Sequence, residues 1–467
     1  MRASEERGLH LIRYGVGADQ RFLAGEFLGK YDIAAINGNM VAHTPAALAR
    51  FLGERTASPQ RATKPFIIDP LTHAFQHDPS KVMSRTPSPE DDEEESPRVK
   101  LSIRRMGDAF GEPVQSALGS RPILPSDFSQ EAVRAGFCER VVRFQLDTIE
   151  TAAQSSDSRK YLEYIGLGAI KPTLVVAPYF WMTAETIDDW LPRNLDFVKH
   201  SRAPANGTRL FAQVVITKDI LTDEGKRSRI AVAYADADCD GVLLWIDEFS
   251  EHEATEDELV GLGELARSLS VRKPVYNLYG GYFSVLLCQL SDLKLLGGVC
   301  HGLEYGEDRS VVPVGGGIPM ARFYLPRYHR RLRYPDAVRV ARALGGFRSV
   351  QSYFDTICSC AECHAVISSE PARDFAVYGV SKRVRFQRKG HVVTLDYPTP
   401  ETKEHCLRHY LHVKHSEFED ARGKNSAEVV KDLDALFAHA AQQSARDQPR
   451  HLRDWASAIR RLAQFLQ

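Results

Sequence analysis

Three cysteines and a later histidine are the side chains of this 467-residue chain whose types and spacing predict chemistry most directly. Cys358, Cys360 and Cys363 are close neighbours, and His409 follows in a histidine-rich stretch. A Cys-x-Cys-x-x-Cys segment can wrap one tetrahedral ion, and a later imidazole can complete its fourth position. Because three thiolates and one imidazole leave no position for water or substrate, the pattern predicts a closed, structural zinc site.

The spacing leaves the fourth ligand open. His405 and His412 are alternatives to His409, whereas His364 directly follows Cys363 in the chain, and adjacent side chains point apart. The opposing interpretation is a set of reduced cytosolic thiols. The grouping of three of the eight cysteines in one short segment favours the metal site.

Charge and hydropathy limit the classes of protein to consider. The chain has 60 Lys and Arg against 61 Asp and Glu, so any nucleic-acid partner must be bound by a local basic patch. Its hydrophobic content of 43% is enough for a large core. No apolar run has the length of a membrane span, and residues 1–7 lack the apolar centre of a signal peptide. These features predict a cytoplasmic protein without a membrane partner, in which cysteines stay reduced.

Short apolar runs alternate with amphipathic segments along the chain, and these elements must position the chemistry. The eight runs are Leu9–Gly17, Asp32–His43, Pro65–His73, Pro172–Phe180, Leu210–Thr217, Gly241–Phe249, Pro274–Tyr282 and Gly298–Gly306. Runs that are apolar on both faces are typical of strands buried in a parallel sheet. Eight of them, separated by helices, predict an α/β protein of the (β/α)8 TIM-barrel type. A doubly wound open sheet is the alternative, but no Gly-x-Gly-x-x-Gly follows an early strand.

The same pattern predicts three regions. Residues 1–345 would form the barrel, 346–420 a zinc-binding subdomain, and 421–467 two closing helices. A short β-ribbon is expected between Cys363 and His409. Residues 78–98, rich in Pro, Ser and acidic side chains, cannot bury apolar surface and predict a mobile surface insertion.

The order of strands and metal motif resembles that of the tRNA-guanine transglycosylases, zinc-bearing barrels that exchange guanine for a 7-deazaguanine. The first three strand ends of that family correspond here to Tyr14-Gly15-Val16-Gly17, Asn37-Gly38-Asn39-Met40 and Asp69-Pro70-Leu71-Thr72. The cysteine motif then follows the eighth strand, and His409-Tyr410-Leu411 stands at the place of the family's histidine. The resemblance implies a zinc-containing barrel that performs base exchange, often as a homodimer formed through the zinc region.

Departures from the tRNA enzymes point to one branch of the family. The Ser-Gly-Gly after the third-strand aspartate and two later substrate motifs are altered, and the basic segment Ala321–Ala337 follows the barrel. These features resemble the DNA-directed DpdA branch, whose members insert 7-cyano-7-deazaguanine into DNA. We therefore expect DNA and a 7-deazaguanine base as partners, with accessory DNA-modification proteins; tRNA is the alternative substrate.

The chemistry of base exchange requires two carboxyl groups. One attacks the sugar carbon, and a second group transfers the purine proton. The resemblance implies that Asp69 is the acid/base, although Asp-Pro is also a common turn sequence. For the nucleophile, the resemblance implies Glu304, with Asp308 a few residues later. Asp247 is the rival, because it ends an apolar strand where a barrel commonly faces its substrate.

Five further residues are candidates for the substrate pocket. Asn37 ends the second strand, Gln213 could bond a base edge, Tyr179 with Phe180 could stack on the base, and Arg309 corresponds to a family arginine. Core packing is the opposing interpretation for the aromatic rings. The three glycines at 315–317 could bind a phosphate through backbone N–H groups, but such a run is more often a simple loop.

Basic residues alternate with tyrosines after the barrel. Arg327, Arg330, Arg331 and Arg333 lie close to Tyr324 and Tyr328, which combines phosphate ligands with stacking faces. A second cluster spans residues 382–389. Both clusters could be solvated surfaces. If no carboxylate were suitably placed, the chain would instead be a non-catalytic, zinc-stabilised nucleic-acid-binding subunit.

Overall fold

The computed structural model describes residues 8–15, 22–56, 64–84, 98–154, 160, 170–303, 307–312, 320–388, 391–443 and 449–465. Its strands are β1 (Leu9–Arg13), β2 (Ile33–Asn37), β3 (Phe66–Asp69), β4 (Met83–Ser84), β5 (Arg98–Val99), β6 (Leu174–Val176), β7 (Arg209–Thr217), β8 (Gly241–Asp247), β9 (Val275–Asn277), β10 (Gly298–Gly302), β11 (Arg322–Leu325), β12 (Arg330–Arg333), β13 (Ser381–Arg388) and β14 (His391–Pro398).

The helices up to the end of the barrel are α1 (Gly38–His43), α2 (Pro45–Thr56), α3 (Leu101–Phe110), α4 (Val114–Ala117), α5 (Glu131–Ala153), α6 (Ile187–Ser201), α7 (Asp219–Thr222), α8 (Glu224–Asp236), α9 (Glu256–Ser270) and α10 (Tyr282–Gln289). The later helices are α11 (Tyr334–Ala343), α12 (Val350–Thr356), α13 (Ala361–Val366), α14 (Pro371–Asp374), α15 (Pro400–Ala421), α16 (Ser426–Gln443) and α17 (Arg450–Gln464).

Eight parallel strands close into a barrel in the order β1-β10-β9-β8-β7-β6-β3-β2. Each strand lies within one of the eight apolar runs of the sequence, except that β7 begins at Arg209, one residue before its run, and helices surround the closed sheet. The predicted eight-stranded parallel barrel is therefore confirmed, and the architecture is that of a TIM barrel. The open, doubly wound alternative is excluded, because β1 pairs with both β2 and β10.

Two hydrophobic layers follow from the alternation of side chains along each strand. In β7, Leu210, Val214 and Ile216 face the surrounding helices, whereas Phe211 and Val215 fill the inside of the barrel. The inward-facing position between Phe211 and Val215 is occupied by the polar residue Gln213. The same alternation directs the last residues of several strands toward the mouth of the barrel at its C-terminal end.

The predicted acidic insertion begins and ends on a short antiparallel pair of strands. Met83 lies opposite Val99, and Ser84 lies opposite Arg98. Residues 85–97, which contain the run of acidic side chains, lie outside the described residues.

After the barrel, α15 connects the remaining elements. Thr399 accepts a hydrogen bond from the backbone N–H of Thr402, and a proline at the next position starts the helix. The helix packs against the barrel wall, where the rings of Phe418 and His10 stack with centroids 4.4 Å apart. Because α15 contacts the barrel as well as the region after it, the predicted division at residues 345 and 420 stays a prediction. Two helices, α16 and α17, occupy the predicted C-terminal segment.

Candidate active site and metal centre

The three cysteines and His409 form one compact cluster. Their ligand atoms, three Sγ and one imidazole nitrogen, all lie within 4.8 Å of one another. His409 Nδ1 is 3.9 Å from Cys358 Sγ, 3.3 Å from Cys360 Sγ and 3.4 Å from Cys363 Sγ. A tetrahedral ion with the bond lengths of zinc needs ligand atoms about 3.5–3.8 Å apart. The residues present therefore fit such an ion, and the predicted Cys3His grouping is confirmed.

The surroundings of His409 select the ring nitrogen that faces the cysteines. Nε2 lies 2.6 Å from the backbone oxygen of Tyr324, to which it donates, so Nδ1 is free to be a ligand. The imidazole also stacks on Phe323, with ring centroids 4.0 Å apart. Two phenol groups, those of Tyr353 and Tyr378, lie 3.4 and 3.6 Å from Cys363 Sγ. Such outer contacts fix the orientation of metal ligands.

The alternative histidines have other partners. His405 Nδ1 lies 2.6 Å from a carboxylate oxygen of Glu362, and His412 Nδ1 lies 2.7 Å from Lys30 Nζ. His364 stacks on a phenylalanine ring instead of facing the cysteines. Only His409 of the four histidines belongs to the cluster that could hold a metal within the described residues.

A second group of polar residues lies at the C-terminal mouth of the barrel. Arg13, Asn37 and Asp69 are the last residues of β1, β2 and β3, and the ladder places Asn37 beside Asp69. Arg13 Nη1 donates a hydrogen bond to Asn37 Oδ1 and lies 3.7 Å from Asp69 Oδ2. Asp69 is buried, with 1% exposure, so water cannot solvate its carboxylate. The positive charge of the Arg13 guanidinium compensates for this lost hydration.

The other oxygen of Asp69 is also engaged. Oδ1 accepts a hydrogen bond from Tyr179 Oη at 2.6 Å and from the backbone N–H of Leu71 at 3.1 Å. Tyr179 Oη lies 3.1 Å from His73 Nδ1. Burial raises the pKa of Tyr179 and holds the pKa of His73 well below its ordinary value. A protonated phenol therefore joins the carboxylate of Asp69 to a neutral imidazole.

Asp247 ends β8 on the inner side of the same mouth. Its Oδ1 accepts a hydrogen bond from the backbone N–H of Val311 at 2.8 Å. Burial raises the pKa of Asp247 above its ordinary value, although this backbone hydrogen bond opposes the shift. The next residue, Glu248, has a left-handed backbone with a φ of 51°. Hence the strand ends in a sharp turn that leaves a partly buried carboxyl group at the rim.

Arg309 joins the Asp247 side of the mouth to the Asp69 side. Its Nη1 donates to Tyr279 Oη at 3.1 Å, and its backbone oxygen accepts a hydrogen bond from Trp245 Nε1 at 3.2 Å. The guanidinium of Arg13 lies 4.1 Å from the centre of the Tyr279 ring. One tyrosine thus contacts two arginines, and Asn37, Asp69, Tyr179 and Arg309 belong to one connected network.

Gln213 lies deeper in the barrel than this network. It faces inward on β7, where the ladder pairs it with Leu243, and four positions farther along Thr217 pairs with Asp247. Its side chain is 1% exposed, and neither amide atom has a hydrogen-bond partner within the described residues. A buried amide without hydrogen bonds costs free energy in the folded protein, and a polar group bound beside Gln213 would offset this cost.

The structure adds residues that the sequence had not singled out. Arg13, His73, Trp245 and Tyr279 all line the network, and the useful signal was an arginine at the end of an otherwise apolar strand. Glu304 and residues 315–317 lie outside the described residues. Asp308 is exposed, and Phe180 stacks on Trp190 in the outer core, away from the barrel interior.

The four predicted nucleic-acid-binding arginines lie on the β11–β12 hairpin and its turn. Arg327 and Arg333 are exposed, whereas Arg330 and Arg331 are partly buried. Arg331 donates to the backbone oxygens of Gly302 and Leu303, at 2.6 and 2.8 Å, so it also anchors the hairpin to the end of β10.

No protein-family model matches the chain, and no curated protein matches it at a significant level. In the part of the chain that the structure describes, no helix combines the length and apolar character needed to cross a membrane.

Proposed function

We propose that the protein is a base-exchange glycosyltransferase that replaces guanine in DNA by a 7-deazaguanine, of which 7-cyano-7-deazaguanine is the expected form. The observation that carries the proposal is the buried Asp69 at the barrel mouth, bonded to Arg13 and Tyr179, with the carboxyl group of Asp247 on the same rim. Two carboxyl groups at one mouth are what a double displacement requires.

The roles follow from the bonds that break and form. A carboxylate attacks C1′ of the sugar, and guanine leaves with the electron pair of the C1′–N9 bond while Asp69, which enters the reaction as the carboxylic acid, donates its proton to N9 and becomes a carboxylate. The incoming 7-deazaguanine then returns a proton to Asp69 and attacks C1′, which releases the carboxylate. Asp247 is the described candidate for the attack, and Glu304 is the alternative.

The network around Asp69 supports its proposed role in proton transfer. Tyr179 Oη lies between Asp69 Oδ1 and His73 Nδ1, so a chain of hydrogen bonds leads away from the reacting carboxyl group. Arg13 lies 3.7 Å from Oδ2 of the same residue, and its hydrogen bond to Asn37 Oδ1 orients the guanidinium. A carboxyl group fixed in this way can meet the purine nitrogen without first reorganising.

The interior of the barrel supports a purine as the bound group. The unpaired amide of Gln213 offers one acceptor and a donor, which match the polar edge of a guanine-like base. Trp245 and Tyr279 line the mouth above it and could cover the base with aromatic surface. A base in a duplex would have to be flipped out of the helix to reach this mouth, which costs about a few kcal/mol.

The Cys3His cluster would hold a zinc ion that organises the region after the barrel. With four protein ligands the ion keeps no open position, so its role in this proposal is structural. Expected metal content is one zinc per chain. A folded protein without bound metal would contradict this part of the proposal.

The proposal is tested by incubating the protein with labelled 7-cyano-7-deazaguanine and either DNA or tRNA. We expect label in DNA, and denaturing gels should show a covalent protein–DNA adduct that Asp247→Asn abolishes. Asp189→Asn is the matched control, because Asp189 is an exposed aspartate on α6, outside the mouth. Label in tRNA alone would favour the tRNA enzyme. An adduct that survives in Asp247→Asn but not in Glu304→Gln would assign the nucleophile to Glu304.

If neither nucleic acid is labelled, while the protein still binds one of them, the non-catalytic subunit becomes the better account. The described structure favours the enzyme, since a buried Asp69 bonded to an arginine and a tyrosine has no evident use in a passive nucleic-acid-binding protein.

A further inference from the structure

A two-stranded ribbon projects from the region of the metal cluster. Strands β13 and β14 pair antiparallel over their whole length, from Ser381 opposite Pro398 to Arg388 opposite His391. The ribbon lies between Cys363 and His409, which are the last cysteine and the histidine of the cluster. It takes no part in the barrel mouth.

Contacts at its base connect the ribbon to the cluster. The backbone N–H of Thr399 donates to the backbone oxygen of Val380 at 3.2 Å, and Thr402 Oγ1 donates to the backbone oxygen of Val377 at 2.9 Å. The adjacent Tyr378 lies against Cys363 Sγ. Because chain segments on both sides of the ribbon contact the cluster or the helix that contributes His409, a bound ion would hold the base of the ribbon rigid.

The register gives the ribbon two different faces. Val384 pairs with Leu395 on one face, and both side chains are half-buried. The opposite face carries Arg383, Arg385 and Thr394, which are exposed. This exposed face is called the arginine face below.

The ribbon as a whole carries a local excess of positive charge, to which its arginine face contributes Arg383 and Arg385 against Asp396. Residues 381–398 contain five Lys and Arg against one Asp, although the whole chain has a formal charge of −1. Arg383 lies 3.8 Å from Asp396, but the two side chains are 84% and 70% exposed, so water screens this pair. Arg385 lies opposite Thr394, and Lys382 is near Glu401 at the base.

The dimensions fit one kind of partner. Arg383 and Arg385 are separated along their strand by about 6.6 Å, and the two strands by about 4.8 Å. A two-stranded ribbon of this width enters the major groove of B-DNA, where arginines reach phosphates and guanine edges. The proposed active site, by contrast, would accept a single flipped base and leave the rest of the duplex unbound.

We infer that the β13–β14 ribbon is a docking element for double-stranded DNA, which places its arginine face in the major groove at a distance from the base being exchanged. The inference rests on the proposed function, since that function supplies the DNA substrate. It adds a second contact, separate from the barrel mouth and dependent on the metal cluster for its position.

The test compares the double variant Arg383→Gln/Arg385→Gln with Arg143→Gln/Arg272→Gln. The control pair are also exposed arginines and lose the same charge, but lie on α5 and just after α9. Binding of a fluorescent 24-base-pair duplex is measured by anisotropy at several salt concentrations. We expect the ribbon variant to bind at least about tenfold more weakly, and the slope of log affinity against log salt to fall by about 1.8, since two phosphate contacts are lost.

The same variants are assayed for base exchange on a short single-stranded oligonucleotide. We expect the ribbon variant to keep wild-type turnover there, because the barrel mouth is unchanged. Equal duplex affinity of ribbon and control variants would overturn the docking inference and leave the proposed function intact. Loss of single-strand turnover would also overturn it, because the ribbon would then belong to the active site.

Two further outcomes separate this inference from the proposed function. The ribbon variant could bind the duplex more weakly while the wild-type protein performs no base exchange. That result would contradict the proposed function and leave the docking inference standing. Stronger ribbon-dependent binding of poly-glutamate than of the duplex would assign the arginine face to an acidic protein and overturn the inference. Metal content and circular dichroism of each variant confirm that the fold is kept.

Discussion

The metal cluster and the barrel mouth place their polar groups in opposite ways. The cluster takes three of its four ligands from one short segment, Cys358 to Cys363, and the fourth from one helix. The mouth takes its network from residues as far apart in the chain as Arg13 and Arg309, and each comes from the end of a different strand or the loop after it. The first is nearly a local structure, and the second exists only when the barrel is closed.

The difference has an energetic side. In the cluster, the binding of an ion would be coupled to folding, because the ligands are brought together only in the folded chain. In the mouth, the buried Asp69 and the unpaired Gln213 reduce stability unless partners or a substrate satisfy them. The cluster should therefore control stability, and the mouth should control activity. Four predictions test this difference between the two regions.

The largest effect is expected from removing a metal ligand. Cys363→Ser should lose the bound ion and lower the free energy of unfolding by about 5 kcal/mol or more, since the coupling between binding and folding is lost. Metal analysis and urea unfolding measure the two effects. Cys406→Ser is the matched control, because this cysteine lies near the cluster, 3.6 Å from the backbone oxygen of Tyr378, but is not a member. Equal metal loss in both variants would contradict the assignment.

The second effect concerns the mouth. Asp69→Asn should lower the turnover of base exchange by about 10³-fold, because a positioned proton donor is lost, yet retain the wild-type metal content. Steady-state kinetics and metal analysis are compared on one preparation. A variant that loses metal, or keeps its turnover, would remove the contrast between the two regions.

Buried carboxyl groups should distinguish the regions by pH. In the loop after β8, burial raises the pKa of Glu251 from 4.5 to about 7, despite hydrogen bonds from Ser284. On α15, the helix that contributes His409, burial alone would raise the pKa of Glu417, but Lys414 and His329 outweigh burial and lower this pKa to about 2. A raised pKa in the folded state gives stability that is present below pH 4.5 and lost as the pH rises through 7. A lowered pKa gives stability that is lost as the pH falls toward 2.

Glu251→Gln removes the first of these titrations. Between pH 5 and 8 we expect the variant to gain up to about 3 kcal/mol of unfolding free energy over the wild type, most of it at the upper end. Urea unfolding at four pH values measures the gain. Glu185→Gln, an exposed glutamate, should show no pH-dependent difference. A constant difference between Glu251→Gln and the wild type would show that Glu251 does not titrate in this range.

The smallest effect is expected from one hydroxyl group. Tyr179→Phe removes the donor to Asp69, and we expect about a tenfold lower kcat/KM with unchanged metal content. Tyr234→Phe is the control, because its hydroxyl is also buried but lies on α8 without a hydrogen-bond partner within the described residues. If both variants lose the same activity, the contact with Asp69 has no special role.

Much of the fold could be predicted from the sequence. The eight strands are short, apolar on both faces and separated by helices, and such a pattern depends on burial alone. The cysteine spacing likewise predicts the cluster, because ligands so close in the chain have little freedom to separate. The spacing alone did not select His409 over His405 and His412, although the family resemblance implied it. The fold decides between them, because it gives the other two a glutamate and a lysine as partners.

The candidate site was predictable only in part. Asp69 and Asp247 end apolar runs, and a barrel directs such ends to one mouth. Arg13 offered one signal, as an arginine at the end of a mostly apolar strand, whereas His73 and Tyr279 offered none, because their neighbours in the site come from strands far away in the chain. Phe180 shows the converse: it follows Tyr179 directly, yet alternation turns its ring to the outer core.

The sequence by itself determined the alternation of strands and helices, the Cys-x-Cys-x-x-Cys segment and the carboxylates at the ends of β3 and β8. These depend on local spacing, on burial and on the type of each residue. The tertiary structure decided which histidine joins the cysteines, which residues surround Asp69 and which face of the β13–β14 ribbon is exposed. Those contacts join distant parts of the chain, and only closure of the barrel and packing of α15 bring them together.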